Sequence, residues 1–146
     1  YHPCHNCIDN CIHTFAGVRL RLKCAEMMEL QGHEEPTGKA KITPAYNLPC
    51  KYVIHTVGPI VQGRLTEKHR MLLKSCYESC LELAVLNRIK SIAFCCISTG
   101  VFGFPQDKAA EIAVQTVREF LKNHDIEVIF NVFKDADYEL YRQLLG

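Results

Sequence analysis

The order of apolar and polar positions along the chain predicts helices and strands that alternate. Apolar side chains recur at helical spacing over four stretches, residues 9–31, 69–86, 106–123 and 135–145. Short apolar or alternating runs predict strands over residues 38–43, 52–57, 91–97 and 127–132. Gly17 predicts a break in the first helical stretch. Strands that alternate with such helices are typical of an α/β fold with a mostly parallel sheet and helices on both faces.

Two of the predicted strands consist almost entirely of apolar residues, which is typical of strands covered on both faces. They are residues 91–97 and residues 127–132. In open parallel sheets, ligands bind beyond the carboxyl ends of the strands. Residues 98–105 follow the first of these strands, so we expect them to lie at a ligand-binding edge.

Composition restricts the class of protein. The 146 residues are 48% hydrophobic and 23% charged, which predicts one compact domain over residues 1–146. The net charge of +1 gives no electrostatic argument for a nucleic-acid or membrane partner. No apolar run approaches the roughly 20 residues of a membrane span, and no signal peptide is visible. The chain opens on Tyr1 inside its richest motif, so we expect an upstream segment to be missing.

Nine cysteines indicate the redox compartment. An odd number cannot all pair within the chain, and several occupy apolar positions, Cys76, Cys80, Cys95 and Cys96 among them. Free cysteine is among the most buried residue types. We therefore expect reduced thiols in the core and a cytoplasmic location.

The loop over residues 98–105, Ser-Thr-Gly-Val-Phe-Gly-Phe-Pro, has the composition of an anion-binding turn. Gly100 and Gly103 permit a sharp turn and a close approach to a ligand. Successive amides that lead to a helix start near Asp107 form a concavity suited to phosphate. Phe102 and Phe104 could pack against a sugar or base; the alternative is an ordinary connection with both rings turned inward. No Gly-Lys-Ser/Thr follows, which argues against an NTPase.

The N-terminal stretch Pro-Cys-His-Asn-Cys, residues 3–7, contains soft metal ligands. His5 and Cys7 lie on alternate residues of an extended stretch and can converge on one zinc ion, which favours imidazole and thiolate. The alternatives are a zinc that only stabilises the loop, a redox pair of Cys4 and Cys7, or free thiols. The sequence favours metal binding over these.

Asp9 and Asn10 follow at a predicted helix start and are the candidate catalytic residues. Asp and Asn are also preferred helix caps, so capping alone is an alternative role. His13 lies one turn beyond Asp9, and His55 lies within a predicted strand. We expect both histidines to be structural, with His55 hydrogen-bonded in the sheet.

Two stretches together resemble the macrodomain family. Residues 7–17, CIDNCIHTFAG, resemble the family's first ligand loop and helix, and residues 98–105 resemble its second, diphosphate-binding loop. Residues 38–43, 46–49 and 52–59 match its central strands. The resemblance covers nearly the whole chain. It implies a three-layer α/β/α sandwich with a mixed, mostly parallel sheet, whose opening strands would precede Tyr1.

The Cys- and His-containing residues 3–7 stand where most macrodomains have a glycine-rich loop. In this the chain resembles the zinc-dependent branch, whose members are ADP-ribosyl hydrolases that remove mono-ADP-ribose from proteins. The resemblance implies that His5 and Cys7 bind Zn²⁺ with a third, cysteine ligand upstream of Tyr1. It also implies a sirtuin-type ADP-ribosyltransferase as a partner.

The resemblance assigns roles to individual residues. Asp9 would orient the attacking water or the ribose and stabilise positive charge at the anomeric carbon. Asn131 and Phe133 would flank adenine, and Phe102 and Phe104 would lie near the distal ribose. The expected diphosphate-binding residues are Ile8, Asp9, Cys11, Ile12, Ser98, Thr99, Gly100, Val101 and Phe102. The alternatives are a non-catalytic ADP-ribose reader with a structural zinc and, further away, a zinc-stabilised interaction domain.

Overall fold

The computed structural model describes residues 8–146, which hold five helices and four strands. These residues form two compact units. The first comprises residues 8–36 and 41–55, and the second comprises residues 37–40 and 56–146. Within this part of the chain, no helix is both long and apolar enough to cross a membrane.

The first unit contains two helices and most of two paired strands. The elements are α1 (Ile8–Ala16), α2 (Val18–Gln31), β1 (Ala40–Pro44) and β2 (Tyr52–Thr56). Gly17 separates the helices at a φ of +92°, a left-handed conformation that glycine adopts without steric cost. A Cβ at Gly17 would lie only 2.9 Å from Nδ2 of Asn47. The predicted break at Gly17 is confirmed.

The second unit alternates helices with a parallel strand pair. Its elements are α3 (Glu67–Leu86), β3 (Ser91–Phe94), α4 (Gln106–Leu121), β4 (Glu127–Phe130) and α5 (Asp135–Leu145). β3 and β4 are parallel, with Ser91 opposite Glu127 and Phe94 opposite Phe130. Thr66 begins α3 with a capping box, because its hydroxyl accepts from the His69 amide while the His69 ring accepts from the Thr66 amide. Apolar faces of α3 and α4 supply much of the core, including Leu73, Tyr77, Leu81, Ala110, Ala113 and Val114.

The two apolar strands are shorter and less covered than the sequence predicts. β3 ends at Phe94 rather than residue 97, and β4 ends at Phe130 rather than residue 132. Exposed and covered side chains alternate along both strands, so the expectation of burial on both faces is wrong for the described residues. β3 ends early because the chain turns after it, where the Thr99 hydroxyl donates to the Cys96 carbonyl and Ser98 is left-handed.

The described cysteines are free thiols, and two of them are core residues as predicted. Cys76 and Cys80 are buried on α3, and burial raises the pKa of Cys80 to about 12. Burial likewise raises the pKa of Cys96 to about 11. Such thiols stay protonated at neutral pH and are poor nucleophiles. Cys11 and Cys50, in contrast, are exposed.

Candidate functional site

The first turn of α1 presents a carboxylate beside a buried imidazole. Asp9 lies in that turn, and its side chain is 40% exposed. His13 follows one turn later, with a side chain only 5% exposed. Residues four apart share one face of a helix, which brings Nε2 of His13 to 3.6 Å from Oδ1 of Asp9. The helix thus holds a solvent-accessible carboxylate against a fixed ring.

The histidines near Asp9 are neutral at physiological pH. Burial lowers the pKa of His13, although the nearby Asp9 carboxylate opposes that shift. Burial first, and the neighbouring His13 second, lower the pKa of His55 to about 4. Nε2 of His55 lies 2.9 Å from the Thr43 hydroxyl, which confirms the predicted hydrogen bond in the sheet. The rings of His13 and His55 therefore add no positive charge beside Asp9 at neutral pH.

The other α1 candidates lie on the same short helix. Ile8 and Cys11 are exposed, and Ile12 is half-buried. Ile12 lies one turn into the helix, where the helical ladder engages its amide, and its role in ligand binding stays a prediction. The Thr14 hydroxyl donates to the Asn10 carbonyl oxygen at 2.8 Å and lies 3.3 Å from Asn10 Oδ1.

The predicted metal ligands His5 and Cys7 lie outside the described residues. Among residues 8–146, no group of three or more His, Cys, Asp or Glu side chains is arranged to hold a metal ion. The prediction of a zinc site therefore depends on the chemistry of the donors at positions 5 and 7.

The second candidate region, residues 98–105, is called the anion loop here. It closes on itself through hydrogen bonds from the Gly103 amide to the Gly100 carbonyl and from the Phe104 amide to the Ser98 carbonyl. The amides of Thr99, Gly100 and Val101 donate to no backbone carbonyl within residues 8–146. Three consecutive unengaged amides in a turn before the first residue of α4 are the arrangement that binds anions.

Ser98 is the strained residue of the anion loop. Its φ is +67°, in the left-handed region that non-glycine residues rarely adopt. Its hydroxyl is buried and has no hydrogen-bond partner in the described structure. A strained backbone costs about 1–3 kcal/mol, and such residues cluster at ligand sites. The strain at Ser98 thus supports a ligand-binding role for this loop.

The two phenylalanines of the anion loop differ, which corrects one expectation. Phe104 is only 2% exposed and belongs to the core, so it cannot pack against a ligand sugar. Phe104 lies directly before Pro105, the N-cap residue of α4. Phe102 is half-buried, and its carbonyl accepts from the Val61 amide at 2.7 Å. Only Phe102 retains a surface that a ligand can reach.

Asn131 and Phe133 lie at the same sheet edge as the anion loop. They follow β4, and the anion loop follows its parallel neighbour β3, so both segments leave the carboxyl ends of adjacent strands. The Asn131 amide donates to the Phe94 carbonyl at 2.8 Å. The Phe133 side chain is 99% exposed. The structure thus brings the predicted adenine-flanking residues and the predicted diphosphate loop to one edge of the second unit.

Sequence reasoning missed two contributions to these regions. It treated His13 and His55 as structural and gave no sign that both are neutral neighbours of Asp9. It also gave no role to Gly58, which packs against Ser98 of the anion loop. A glycine directly after a predicted strand was the available signal for such a close approach between segments.

Comparisons with known proteins place the chain among macrodomains. Residues 2–113 match the family profile described as Macro domain. A protein-ADP-ribose hydrolase of Treponema medium is 63% identical over 148 residues, covering 100% of this chain and 57% of that protein. The chain therefore spans little more than half the length of that curated relative.

Solved structures agree with the predicted α/β fold. The Oceanobacillus iheyensis macrodomain with ADP is 40% identical and superposes with a TM-score of 0.90, covering 96% of this chain and 75% of that one. The Trypanosoma brucei macrodomain in complex with ADP-ribose is 37% identical with a TM-score of 0.84, covering 97% of this chain and 57% of that one. The expected macrodomain fold is confirmed.

Proposed function

Because the chain belongs to the Macro domain family, we propose that it is a hydrolase that removes mono-ADP-ribose from modified proteins. The observation that carries the proposal is the row of unengaged amides at Thr99, Gly100 and Val101, which suits a diphosphate. The name of the Treponema medium relative, protein-ADP-ribose hydrolase, supports the same substrate class.

In the proposed complex, the binding energy for the nucleotide is divided mainly between the anion loop and the exposed Phe133. The amides of the anion loop hold the diphosphate and need no positive side chain. Phe133, exposed at the same edge, stacks on the adenine, and Asn131 lies beside it. This division fits a chain whose net charge of +1 offers little general attraction for anions.

The proposed chemistry is carried by Asp9. Water attacks the anomeric carbon of the distal ribose, and the bond from that carbon to the acceptor carboxylate oxygen breaks. Asp9 orients the water, accepts its proton and stabilises the positive charge that develops on the sugar. Asn10, on the same turn, is the second candidate catalytic residue.

We also propose that the active protein holds Zn²⁺ through His5 and Cys7. An imidazole with thiolates is a donor set that zinc prefers, so the residue types fit this metal. When bound, zinc supplies Lewis-acid polarisation of an oxygen ligand. Metal content measured by plasma mass spectrometry should fall on Cys7→Ser substitution but not on Cys50→Ser, an exposed cysteine of the first unit. Equal metal content in both variants would contradict this assignment.

One experiment separates the hydrolase from its alternatives. The chain is incubated with a protein mono-ADP-ribosylated on carboxylates, released ADP-ribose is quantified, and ADP-ribose binding is titrated by calorimetry. Binding with catalytic turnover supports the hydrolase. Binding without turnover would identify a reader, and the absence of both would identify an interaction domain. A sirtuin-type transferase, proposed to install the modification, should supply a substrate that the chain cleaves.

A further inference from the structure

The segment between β2 and α3 contacts the anion loop at two points. We call residues 58–61 the bracing segment. At its start, Gly58 packs so closely on Ser98 that a Cβ there would overlap the Ser98 Oγ and lie 2.8 Å from Cγ2 of Ile97. At its end, the Val61 amide donates to the Phe102 carbonyl at 2.7 Å.

The second contact also depends on a glycine. A Cβ on Gly103 would lie 2.9 Å from the Val61 carbonyl oxygen, and Gly103 has a φ of +75°. The bracing segment therefore meets residues 97–98 on one side of the unengaged amides and residues 102–103 on the other. Both contacts require the absence of a side chain, since real Cβ atoms essentially never approach other atoms this closely.

The strained conformation of the anion loop has to be stabilised by contacts such as those with the bracing segment. The left-handed Ser98 and its buried, unpartnered hydroxyl each oppose the observed conformation. A loop with only two internal backbone hydrogen bonds in the described structure would otherwise relax toward less strained conformations. Relaxation at Ser98 would turn the amides that follow it away from a common point.

From these contacts we propose that the bracing segment holds the anion loop in its binding conformation before ligand arrives, with Gly58 and Gly103 as positioning residues. The inference rests on the proposed function, because it takes the anion loop as the diphosphate site. A loop already held in place loses less conformational entropy on binding, and that difference appears as affinity.

A set of glycine-to-alanine variants tests the inference by calorimetric titration with ADP-ribose. Gly103→Ala and Gly63→Ala both place an alanine in a left-handed conformation, because Gly103 has a φ of +75° and Gly63 a φ of +81°. They differ in their surroundings, since nothing lies within 4 Å of a Cβ at Gly63. Gly58→Ala introduces a clash without that strain. We expect the dissociation constant to rise at least about tenfold for Gly58→Ala and Gly103→Ala. It should stay within about twofold of the parent for Gly63→Ala.

Rescue distinguishes positioning from a general loss of structure. Ser98→Gly removes the Oγ that a Cβ on residue 58 would overlap and relieves the left-handed strain. In a double-mutant cycle, Ser98→Gly should recover part of the affinity that Gly58→Ala loses. The inference is overturned if Gly58→Ala and Gly103→Ala bind within about twofold of the parent. It is also overturned if Gly63→Ala loses as much affinity as Gly103→Ala.

Hydrogen exchange on the parent chain tests the same inference if a variant does not fold. The Val61 amide should exchange slowly without ADP-ribose, because it donates to the Phe102 carbonyl. Exchange at an unprotected rate until ADP-ribose is added would overturn the inference. If the parent binds no ADP-ribose, the proposed function fails. The exchange rate of the Val61 amide still shows whether the bracing segment holds the anion loop.

Discussion

The first turn of α1 and the anion loop are built from different chemical groups. At α1, the candidate functional groups are side chains: an accessible Asp9 carboxylate and a buried, neutral His13 on a regular helix. In the anion loop, they are backbone amides of Thr99, Gly100 and Val101, presented by a strained turn. The helix would keep its shape if Asp9 lost its carboxylate, but the loop has no side chain whose removal abolishes its donors.

The difference predicts how each region responds to substitution. Side-chain removal at α1 should affect the reaction and leave binding and folding nearly intact. At the anion loop, the sensitive positions are those that set backbone conformation, such as the glycines and the buried Phe104. Chemistry and binding should therefore be separable by mutation, and the following predictions test that separation.

The largest expected effect is on the rate of hydrolysis. Asp9→Ala should lower kcat by about 10²–10⁴-fold, the range that a positioned acid–base group contributes. The dissociation constant for ADP-ribose should change less than about threefold, because the anion loop supplies the diphosphate contacts. Glu67→Ala, which removes an exposed carboxylate from the first turn of α3, is the matched control and should leave both constants unchanged. Undiminished turnover by Asp9→Ala would remove Asp9 from the mechanism.

Next in size is the effect of Phe104 on stability. Phe104→Ala should destabilise the fold by about 3–5 kcal/mol, as expected for an aromatic ring removed from a core. Urea unfolding measures this free energy, and Phe15→Ala is the control because that ring is 72% exposed. Equal stability of the two variants would show that Phe104 is not a core anchor.

A third prediction concerns how the stability of the fold depends on pH through His55, which lies in β2. The pKa of His55 is about 4 in the folded chain and near 6.5 when unfolded, so the unfolded state binds the proton first. The stabilisation is complete above pH 6.5 and is lost as pH falls toward 4. The loss of stability should amount to about 2 kcal/mol by pH 5. Burial lowers the pKa of His13 as well, so His13 contributes to the pH dependence in the same direction.

His55→Gln isolates this contribution. Urea unfolding at pH 7.5 and pH 5 should show a smaller loss of stability in His55→Gln than in the parent. His33→Gln, at an exposed histidine, should retain the parent's pH dependence. If both variants lose the same stability on acidification, His55 is not the source of the pH dependence.

The smallest predicted effect concerns nucleotide affinity at the sheet edge. Phe133→Ala should weaken ADP-ribose binding about tenfold, in line with the loss of one base-stacking contact. Its stability should not change, because the ring is 99% exposed. Tyr52→Ala, an exposed aromatic in β2, should bind like the parent. An unchanged dissociation constant for Phe133→Ala would exclude stacking at this position.

Sequence alone predicted the elements well because their signals are local. Helical spacing located α3, and Gly17 marked the break between α1 and α2. The strand ends were less predictable, since Phe94 is followed by apolar Cys95, Cys96 and Ile97, which look like strand residues. What ends β3 is the turn at Ser98, a backbone conformation that composition does not reveal.

In the candidate site, too, local features were predictable from the sequence and contacts between distant segments were not. Asp9 and the glycines of the anion loop were visible as residue types at characteristic spacing. The inward position of Phe104 and the contact of Gly58 with Ser98 depend on tertiary packing between segments about 40 residues apart, so no local pattern contains them. The neutral state of His13 and His55 likewise depends on burial, which only the folded chain determines.

The most direct test of the proposed reaction is hydrolysis of a protein ADP-ribosylated on a carboxylate in water enriched with ¹⁸O. Mass spectrometry of the released acceptor peptide then identifies the bond that breaks. Attack of water at the anomeric carbon, with Asp9 stabilising the sugar cation, leaves the acceptor carboxylate unlabelled. Incorporation of ¹⁸O into that carboxylate, or no release of ADP-ribose at all, would contradict the mechanism.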